Sequence, residues 1–294
     1  MDQKRIIDEF KELVSIEVHS RDERAIADVL KEKLTTLGLT VTEDKAGEVL
    51  GGNTGNLYAQ LPGSTDGEPV LFSAHMDRVG NHGHIVPLVK EEGKIVSDGT
   101  SILAGDDIGG VAAILAMLRE VKEKQIPHGP IEVAFSVCEE TGVEGSRQYD
   151  FSKFRSKSAF VYDASGKAGT IVLAAPSKGR VTIRVHGVTA HAGNEPEKGL
   201  NALKVAADLI MQLPDGRLSP VSTANFSIIE AGSATNVVCD LVTITGEQRS
   251  RDAKEYQQIS ADIQAAADRI SEKYHTKIEV ELHTLYHAFK LEET

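Results

Sequence analysis

The chain has 294 residues, 40% hydrophobic and 26% charged, and a formal net charge of −12, as in a soluble globular protein of about two domains. Negative charge argues against general nucleic-acid binding, because such binding needs cations to neutralise phosphates. No apolar run approaches the ~20 residues that span a bilayer, and the charged N-terminus is not a secretory signal. We therefore expect a cytoplasmic protein without nucleic-acid or membrane partners. Its two cysteines, Cys138 and Cys239, cannot form a disulfide framework.

The first part of the chain predicts helices that alternate with apolar strands. Amphipathic helices are predicted over 2–15 and from a capping box at 20–23 to Gly38, and an apolar helix runs from Gly109 to about Lys124. The predicted strands are 40–42, 56–61, 70–74, 131–137 and 159–162. This alternation favours an α/β layered domain with a mostly parallel sheet.

The pattern changes near residue 175. Half-buried strands are predicted by alternating polarity, and two amphipathic helices accompany them. The strands are 179–187, 224–231, 241–247 and 279–285, and the helices are 200–213 and 252–273. This part is typical of an α+β domain with an antiparallel sheet covered on one side. We place the first domain at 1–175, the second at 176–285, and the start of a new segment at 286–294.

Acidic or imidazole side chains follow the strands of the first domain or open its helix. They are His75 and Asp77, Asp106 and Asp107, Glu139 and Glu140, and Asp163. In open α/β sheets, ligands bind at the carboxyl ends of the strands. One imidazole with several carboxylates suits a divalent ion, zinc in particular. With such an ion, one glutamate would be a ligand and the other a general base.

Each of these clusters also has an ordinary interpretation. A histidine at a strand end can bond to a loop, and an aspartate at a helix start can be a cap. Adjacent glutamates can lie in a solvated loop, and Asp163 can be a turn residue. The metal-site prediction therefore depends on the combination of the clusters.

The second domain adds three candidates, namely His191, Asn236 and Arg249. Arg249 could clamp a carboxylate through two hydrogen bonds. The alternatives are a loop histidine, an asparagine in a turn and a surface cation.

Together these motifs resemble the co-catalytic zinc exopeptidase family, which includes peptidase T, carboxypeptidase G, aminoacylase and succinyl-diaminopimelate desuccinylase. The resemblance covers essentially the whole chain and is strongest to the peptidase T-like branch. It rests on Ser73-Ala74-His75-Met76-Asp77, Ser97-Asp98-Gly99-Thr100 with Leu103-Ala104-Gly105-Asp106-Asp107, Glu139-Glu140-Thr141-Gly142, Ala190-His191-Ala192-Gly193 with Pro196 and Gly199-Leu200-Asn201-Ala202, and Ala234-Thr235-Asn236-Val237-Val238.

The resemblance implies roles for the first-domain residues. His75 and Asp163 would ligate one zinc ion, Asp106 would bridge two, and Glu140 would ligate the other. Cobalt or manganese are possible substitutes for zinc. Asp77 would orient His75, and Glu139 would be the general base that deprotonates a metal-activated water.

The resemblance also implies a three-layer catalytic domain with an inserted lid and dimerisation domain, and therefore a homodimer. His191 would stabilise the oxyanion in a neighbouring active site. Asn236 and Arg249 would bind the substrate's carboxylate or backbone end. Apart from the resemblance, His82 and His84 flank Gly83 in a loop next to the site; an ordinary loop role is the favoured interpretation, and contact with substrate is the alternative.

The implied function is hydrolysis of an amide bond in a small peptide, as in a tripeptide aminopeptidase. The alternatives are an N-acyl amino acid deacylase or desuccinylase, and an inactive truncated relative that acts as an oligomerising structural protein. The segment 286–294 resembles the start of the family's return to the catalytic domain, whose remainder, with a last histidine ligand, is not matched. We expect a chain of this length to expose apolar sheet surface.

Overall fold

The computed structural model describes residues 2–79, 84–91, 93–167 and 169–292. The chain divides into two units, 1–170 and 171–294, whereas the sequence predicts a boundary after residue 175. Each unit has its own hydrophobic core. Among the described helices, none has the length and apolar character that a membrane crossing requires.

Within its described residues, the first unit contains four α-helices and a five-stranded sheet with the strand order β1-β2-β6-β3-β7. The helices are α1 (Gln3–Val14), α2 (Arg24–Thr36), α3 (Ala46–Leu50) and α4 (Gly105–Glu123). The strands are β1 (Thr40–Glu43), β2 (Leu57–Leu61), β3 (Val70–His75), β6 (Ile131–Ser136) and β7 (Ser158–Val161), while β4 (Pro87–Val89) and β5 (Ile95–Ser97) pair separately. Strand β2 is antiparallel to both of its neighbours, and the other four strands run the same way. The predicted α/β fold with a mostly parallel sheet is confirmed.

Strand β6 lies at the centre of this sheet, pairs with β2 and β3 along its two edges, and is buried along its whole length. Helix α4 adds a continuous apolar surface to the same core through Ile108, Val111, Ile114, Leu115 and Leu118. His75 at the end of β3 pairs in register with Ser136 at the end of β6. The residues that follow both strands therefore emerge at the same edge of the sheet.

The outer strand β7 pairs with β3. Its apolar side chains Phe160 and Val161 are exposed, although Phe160 stacks on Phe72 with ring centroids 5.8 Å apart. Apolar sheet surface is thus accessible at this edge.

The predicted capping box at 20–23 is wrong. Helix α2 begins at Arg24, whose backbone N–H donates to the side-chain oxygen of Asn53, and Glu23 makes no side-chain cap. The Ser20 hydroxyl donates to Asp77 instead. Ser20 therefore binds the carboxylate that follows β3 and does not cap helix α2.

The second unit is an antiparallel five-stranded sheet with the order β10-β11-β12-β9-β13. Its strands are β9 (Ser177–His186), β10 (Gly216–Ser219), β11 (Ser222–Ala231), β12 (Leu241–Ser250) and β13 (Ile278–Tyr286), with helices α5 (Ala202–Ile210) and α6 (Ala253–Tyr274). Strands β8 (Ala174–Ala175) and β14 (Phe289–Lys290) pair with each other. The core joins β9 and β12 to the helices through Val181, Ile183, Val185, Val242, Ile244, Val205, Leu209, Ile259, Ile263 and Ile270. The predicted α+β domain is confirmed.

Candidate metal centre

Four chain segments of the first unit meet at the carboxyl edge of its sheet. His75 ends β3 and Asp106 lies in the first turn of α4. Glu139 and Glu140 follow β6, and Asp163 follows β7. His75, Asp106 and Asp163 each offer a ligand atom within 4.8 Å of the others, and so do His75, Glu139 and Glu140.

His75 is the group common to both sets, and it is only 2% exposed. Its Nδ1 is 2.9 Å from the backbone oxygen of Asp77 and 3.4 Å from the Asp77 carboxylate. An Nδ1–H that donates to Asp77 leaves Nε2 facing the carboxylates, 3.0 Å from Asp106 and 4.0 Å from Asp163. Burial opposes a charged imidazole, but the surrounding carboxylates, Asp77 first, outweigh it and raise the pKa of His75 to about 10.

Asp77 is completely buried and lies beneath the site. It accepts hydrogen bonds from the backbone N–H groups of Glu139 and Glu140 at 2.9 and 3.1 Å, and from the Ser20 hydroxyl at 2.6 Å. Burial alone would raise its pKa, but these bonds and His75 lower the pKa of Asp77. It therefore remains a carboxylate that orients both the imidazole and the glutamate loop.

The two aspartates at the start of α4 have different environments. The Asp106 side chain is 70% exposed and faces His75. Asp107 is buried, accepts the His75 backbone N–H at 3.1 Å, and has a pKa raised to about 8 by burial. The residue before the helix is Ala104, and no side chain caps it, so neither aspartate has the ordinary capping role.

Glu139 and Glu140 are half-buried beside these groups. Burial, with repulsion from neighbouring carboxylates, raises the pKa of Glu139 to about 7. Burial and then Asp106 raise the pKa of Glu140. A carboxyl group whose pKa is near 7 can either hold or release a proton in neutral solution, which suits a general base.

The arrangement fits a bound divalent cation. The buried Oε1 of Glu140 has no hydrogen-bond partner among the residues that the structure describes. Burial also raises the pKa of Asp163. Several carboxylates with raised pKa values around one imidazole are electrostatically unfavourable until a cation compensates them.

The second unit brings two of its three candidates together. Ala192 N–H donates to the Asn236 backbone oxygen at 3.0 Å, so the loops of His191 and Asn236 are adjacent. The Nδ1 of His191 accepts from the N–H groups of Gly193 and Asn194 at 3.2 and 3.1 Å. The ring proton is therefore on Nε2, which makes this exposed atom a donor.

Arg249 lies near the far end of β12 from Leu241, about 27 Å along the strand. Its Nε donates to Glu247 at 2.7 Å, which raises the pKa of the guanidinium. The structure thus separates Arg249 from the adjacent His191 and Asn236 loops. Of the two loop histidines, His84 is exposed and His82 lies outside the described residues.

Sequence reasoning missed two polar residues that organise this edge, Ser20 and Glu23, and named a third, Asp107, without assigning it a role. Ser20 and Glu23 read as helix-capping residues, and only the fold brings them to the loop after β6. Asp107 stood beside Asp106, and the doubled aspartate was the available signal that one of them had a role other than capping.

Comparison with known proteins agrees with the two-unit organisation. A sequence model of "Peptidase family M28" matches residues 56–195, and a model of the "Peptidase dimerisation domain" matches residues 176–275. The fold and the site therefore define a metallopeptidase with a catalytic domain and a domain of the dimerisation type.

Individual relatives show which kind of metallopeptidase this chain resembles. The uncharacterized protein YqjE of Bacillus subtilis is 36% identical over all of this chain and 79% of its own length. The crystal structure of aminopeptidase PepT from Bacillus cereus is 39% identical with a TM-score of 0.88, over 100% of this chain and 79% of that one. A Staphylococcus aureus tripeptidase is 33% identical with a TM-score of 0.93, over 99% and 78%. The chain belongs to the co-catalytic zinc exopeptidase family, in its peptidase T-like branch.

Proposed function

We propose that this chain hydrolyses an amide bond of a small peptide, as a tripeptide aminopeptidase does. The observation that carries the proposal is the carboxylate-rich edge around His75, with the half-buried Glu139 beside it. The names of the PepT and tripeptidase structures support the substrate class.

The proposed cofactor is zinc, in two ions, held by the carboxylates and imidazole of the first unit. His75 and Asp163 would hold one ion, Glu140 the other, and Asp106 would bridge them. A bound divalent cation supplies Lewis acidity, which polarises the scissile carbonyl and makes a water molecule more acidic.

Within this proposal, Glu139 moves the proton. Its carboxylate takes a proton from the attacking water and passes it to the leaving amine nitrogen. Asp77 keeps the Nδ1 side of His75 occupied, so that Nε2 would be the atom that holds the metal. The Nε2–H of His191 would donate to the developing oxyanion in a neighbouring active site, and Asn236, in the adjacent loop, would bind the carboxylate or backbone end of the substrate. Arg249 lies at the other end of β12, so it is not assigned to the same end of the substrate as Asn236.

We further propose a homodimer formed through the second unit. The match of residues 176–275 to a peptidase dimerisation domain supports it. Sedimentation equilibrium of the purified chain measures this directly, and a monomeric mass at micromolar concentration would refute it.

The deciding assay compares tripeptides that have free N-termini with N-acyl amino acids, before and after removal of metal by a chelator. We expect chelator-sensitive release of the N-terminal residue from tripeptides. Preferential cleavage of N-acyl amino acids would instead indicate a deacylase or desuccinylase. Metal binding without turnover of either class would indicate the oligomerising structural relative.

Glu139→Gln tests the role of the proton carrier. We expect kcat to fall by about 100- to 10,000-fold while metal content is retained, because an amide cannot accept the proton. Metal content is measured by elemental analysis of the same samples. Glu48→Gln, at an exposed carboxylate on α3, is the control, and turnover retained in Glu139→Gln would contradict the assignment.

A further inference from the structure

The loop after β6 is held by side chains rather than by strand pairing. Four consecutive backbone N–H groups donate to buried side-chain oxygens from three other segments. The pairs are Val137 to Asn56 (3.0 Å), Cys138 to Glu23 (3.0 Å), Glu139 to Asp77 (2.9 Å) and Glu140 to Asp77 (3.1 Å). Glu139 and Glu140 thus project from a backbone whose position is set residue by residue.

Glu23, like Asn56, lies outside the site itself, and it is completely buried. Its Oε1 accepts from the backbone N–H groups of Cys138 and Arg21, both at 3.0 Å. Both residues have left-handed backbones, with φ of 51° at Cys138 and 76° at Arg21. Residues other than glycine rarely adopt this conformation. One carboxylate oxygen therefore stabilises two unusual turns and ties them together.

A carboxylate at position 23 is electrostatically unfavourable. Burial raises the pKa of Glu23, and the nearby Asp77 raises it further because the two negative charges repel. An apolar side chain of similar volume would fill the space without that repulsion. The acceptor oxygen is what the carboxylate adds.

We propose that Glu23 is a positioning residue, which fixes the Cys138 amide and thereby the direction in which Glu139 and Glu140 project. The inference rests on the proposed function, in which Glu139 carries the proton and Glu140 is a metal ligand. Displacement of either group by about 1 Å is enough to weaken catalysis or binding strongly.

Two substitutions distinguish the effect of the acceptor oxygen of Glu23 from the effect of its side-chain volume. Glu23→Gln keeps an acceptor oxygen for the Cys138 and Arg21 amides, whereas Glu23→Leu fills a similar volume without one. The matched control is Glu132→Leu. Glu132 is also buried and accepts two consecutive backbone N–H groups, those of Arg155 and Ser156, but at the opposite end of β6.

The main readout is zinc affinity, measured by competition with a chromophoric chelator. We expect Glu23→Leu to raise the zinc dissociation constant by about 10- to 100-fold and Glu23→Gln to stay close to the wild type. Glu132→Leu should lower the melting temperature and leave zinc affinity unchanged. Hydrogen exchange should be faster at the Cys138 amide in Glu23→Leu and unchanged there in Glu132→Leu.

Peptide turnover supplies an independent readout. We expect kcat to fall in Glu23→Leu with little change in KM, and to recover in Glu23→Gln. If the wild type cleaves no peptide, the proposed function fails, while zinc affinity and amide exchange still decide the role of Glu23.

The inference is overturned if Glu23→Leu binds zinc as the wild type does, if Glu132→Leu weakens zinc equally, or if Glu23→Gln does not restore affinity. Should Glu23→Leu not fold, Glu23→Asp replaces it. That side chain keeps the charge but withdraws the oxygens by about 1.5 Å, the length of one C–C bond. Unchanged zinc affinity and Cys138 exchange in Glu23→Asp would equally overturn the inference.

Discussion

Asp77 and Glu132 make the same kind of hydrogen-bonded contact with the backbone, at opposite ends of the central strand β6. Each is a buried carboxylate that accepts two consecutive backbone N–H groups, together with one side-chain hydroxyl at Asp77 and two at Glu132. Hydrogen bonds to the charged form favour ionisation. Asp77 thereby holds the loop of the metal centre, and Glu132 holds the turn that leads into β7.

Glu132 gives a pH-dependent contribution to stability. Burial would raise its pKa, but the hydrogen bonds from Ser156, Tyr58 and Arg155 outweigh burial and lower it from 4.5 to about 2. Because the folded-state pKa lies below the unfolded value, the stabilisation is complete above about pH 5 and is lost as the pH falls toward 2.

We therefore expect Glu132→Gln to lower the free energy of unfolding by about 1–3 kcal/mol at pH 7 and by progressively less as the pH falls to 2. Urea denaturation at several pH values measures this difference. Glu68→Gln, at an exposed position, is the control. A difference that stays constant between pH 7 and pH 3 would contradict the prediction.

For individual residues, the sequence predicted the location of ionisable groups that lie at or just after the end of a strand. His75, Glu139 and Asp163 meet at one edge because parallel strands end there together. Ser20 and Glu23 could not be placed in the same way. Their partners Asp77 and Cys138 are distant in sequence, and the residues after Glu23 do form a helix, which made capping a plausible reading.

Helix α4 packs closely against the end of β7 at Gly110, which has no side chain. A Cβ on Gly110 would lie 2.3 Å from the Asp107 carboxylate and 2.7 Å from the Tyr162 backbone oxygen. Gly109, one residue earlier, has open space at the same position. Close packing at Gly110 therefore keeps Asp107 and the end of β7 near His75.

These two glycines make a matched pair of variants. Gly110→Ala should lower the free energy of unfolding by about 1–3 kcal/mol because of overpacking. Gly109→Ala should leave it unchanged or raise it by up to about 1 kcal/mol through helix propensity. Thermal or urea denaturation measures both. Equal effects of the two substitutions would refute the packing argument.

The sequence predicted every long strand but only some of the short ones. Strands β9, β11 and β12 have ten residues each, enough for an alternating pattern to emerge. The four-residue strands β1 and β7 were predicted, whereas β10, with four residues, and β4, with three, were missed because so few residues give no clear periodicity. Pairing with neighbours that are already formed, rather than local pattern, creates such strands.

At the scale of the whole molecule, the candidate metal ligands all lie in the first unit, and each unit has its own core. A ligand stabilises the structure that binds it, by about 2.7 kcal/mol at a hundred times its dissociation constant. Zinc should therefore slow amide hydrogen exchange more in the first unit than in the second.

Hydrogen exchange with mass spectrometry, with and without zinc, compares peptides from α4 with peptides from α6. Protection that increases mainly in α6 would contradict a site in the first unit. The Glu139→Gln protein, which should retain metal, is expected to show the same protection as the wild type.

The buried thiol of Cys138 turns the loop after β6 into a kinetic reporter. Cys138 is 1% exposed, so a thiol reagent can reach it only when the native structure transiently opens. In a Cys239→Ser background this is the single reactive thiol of the chain. The labelling rate at neutral pH then measures how often the backbone beside Glu139 unfolds locally. We expect bound zinc to slow that rate in proportion to the occupancy of the metal site.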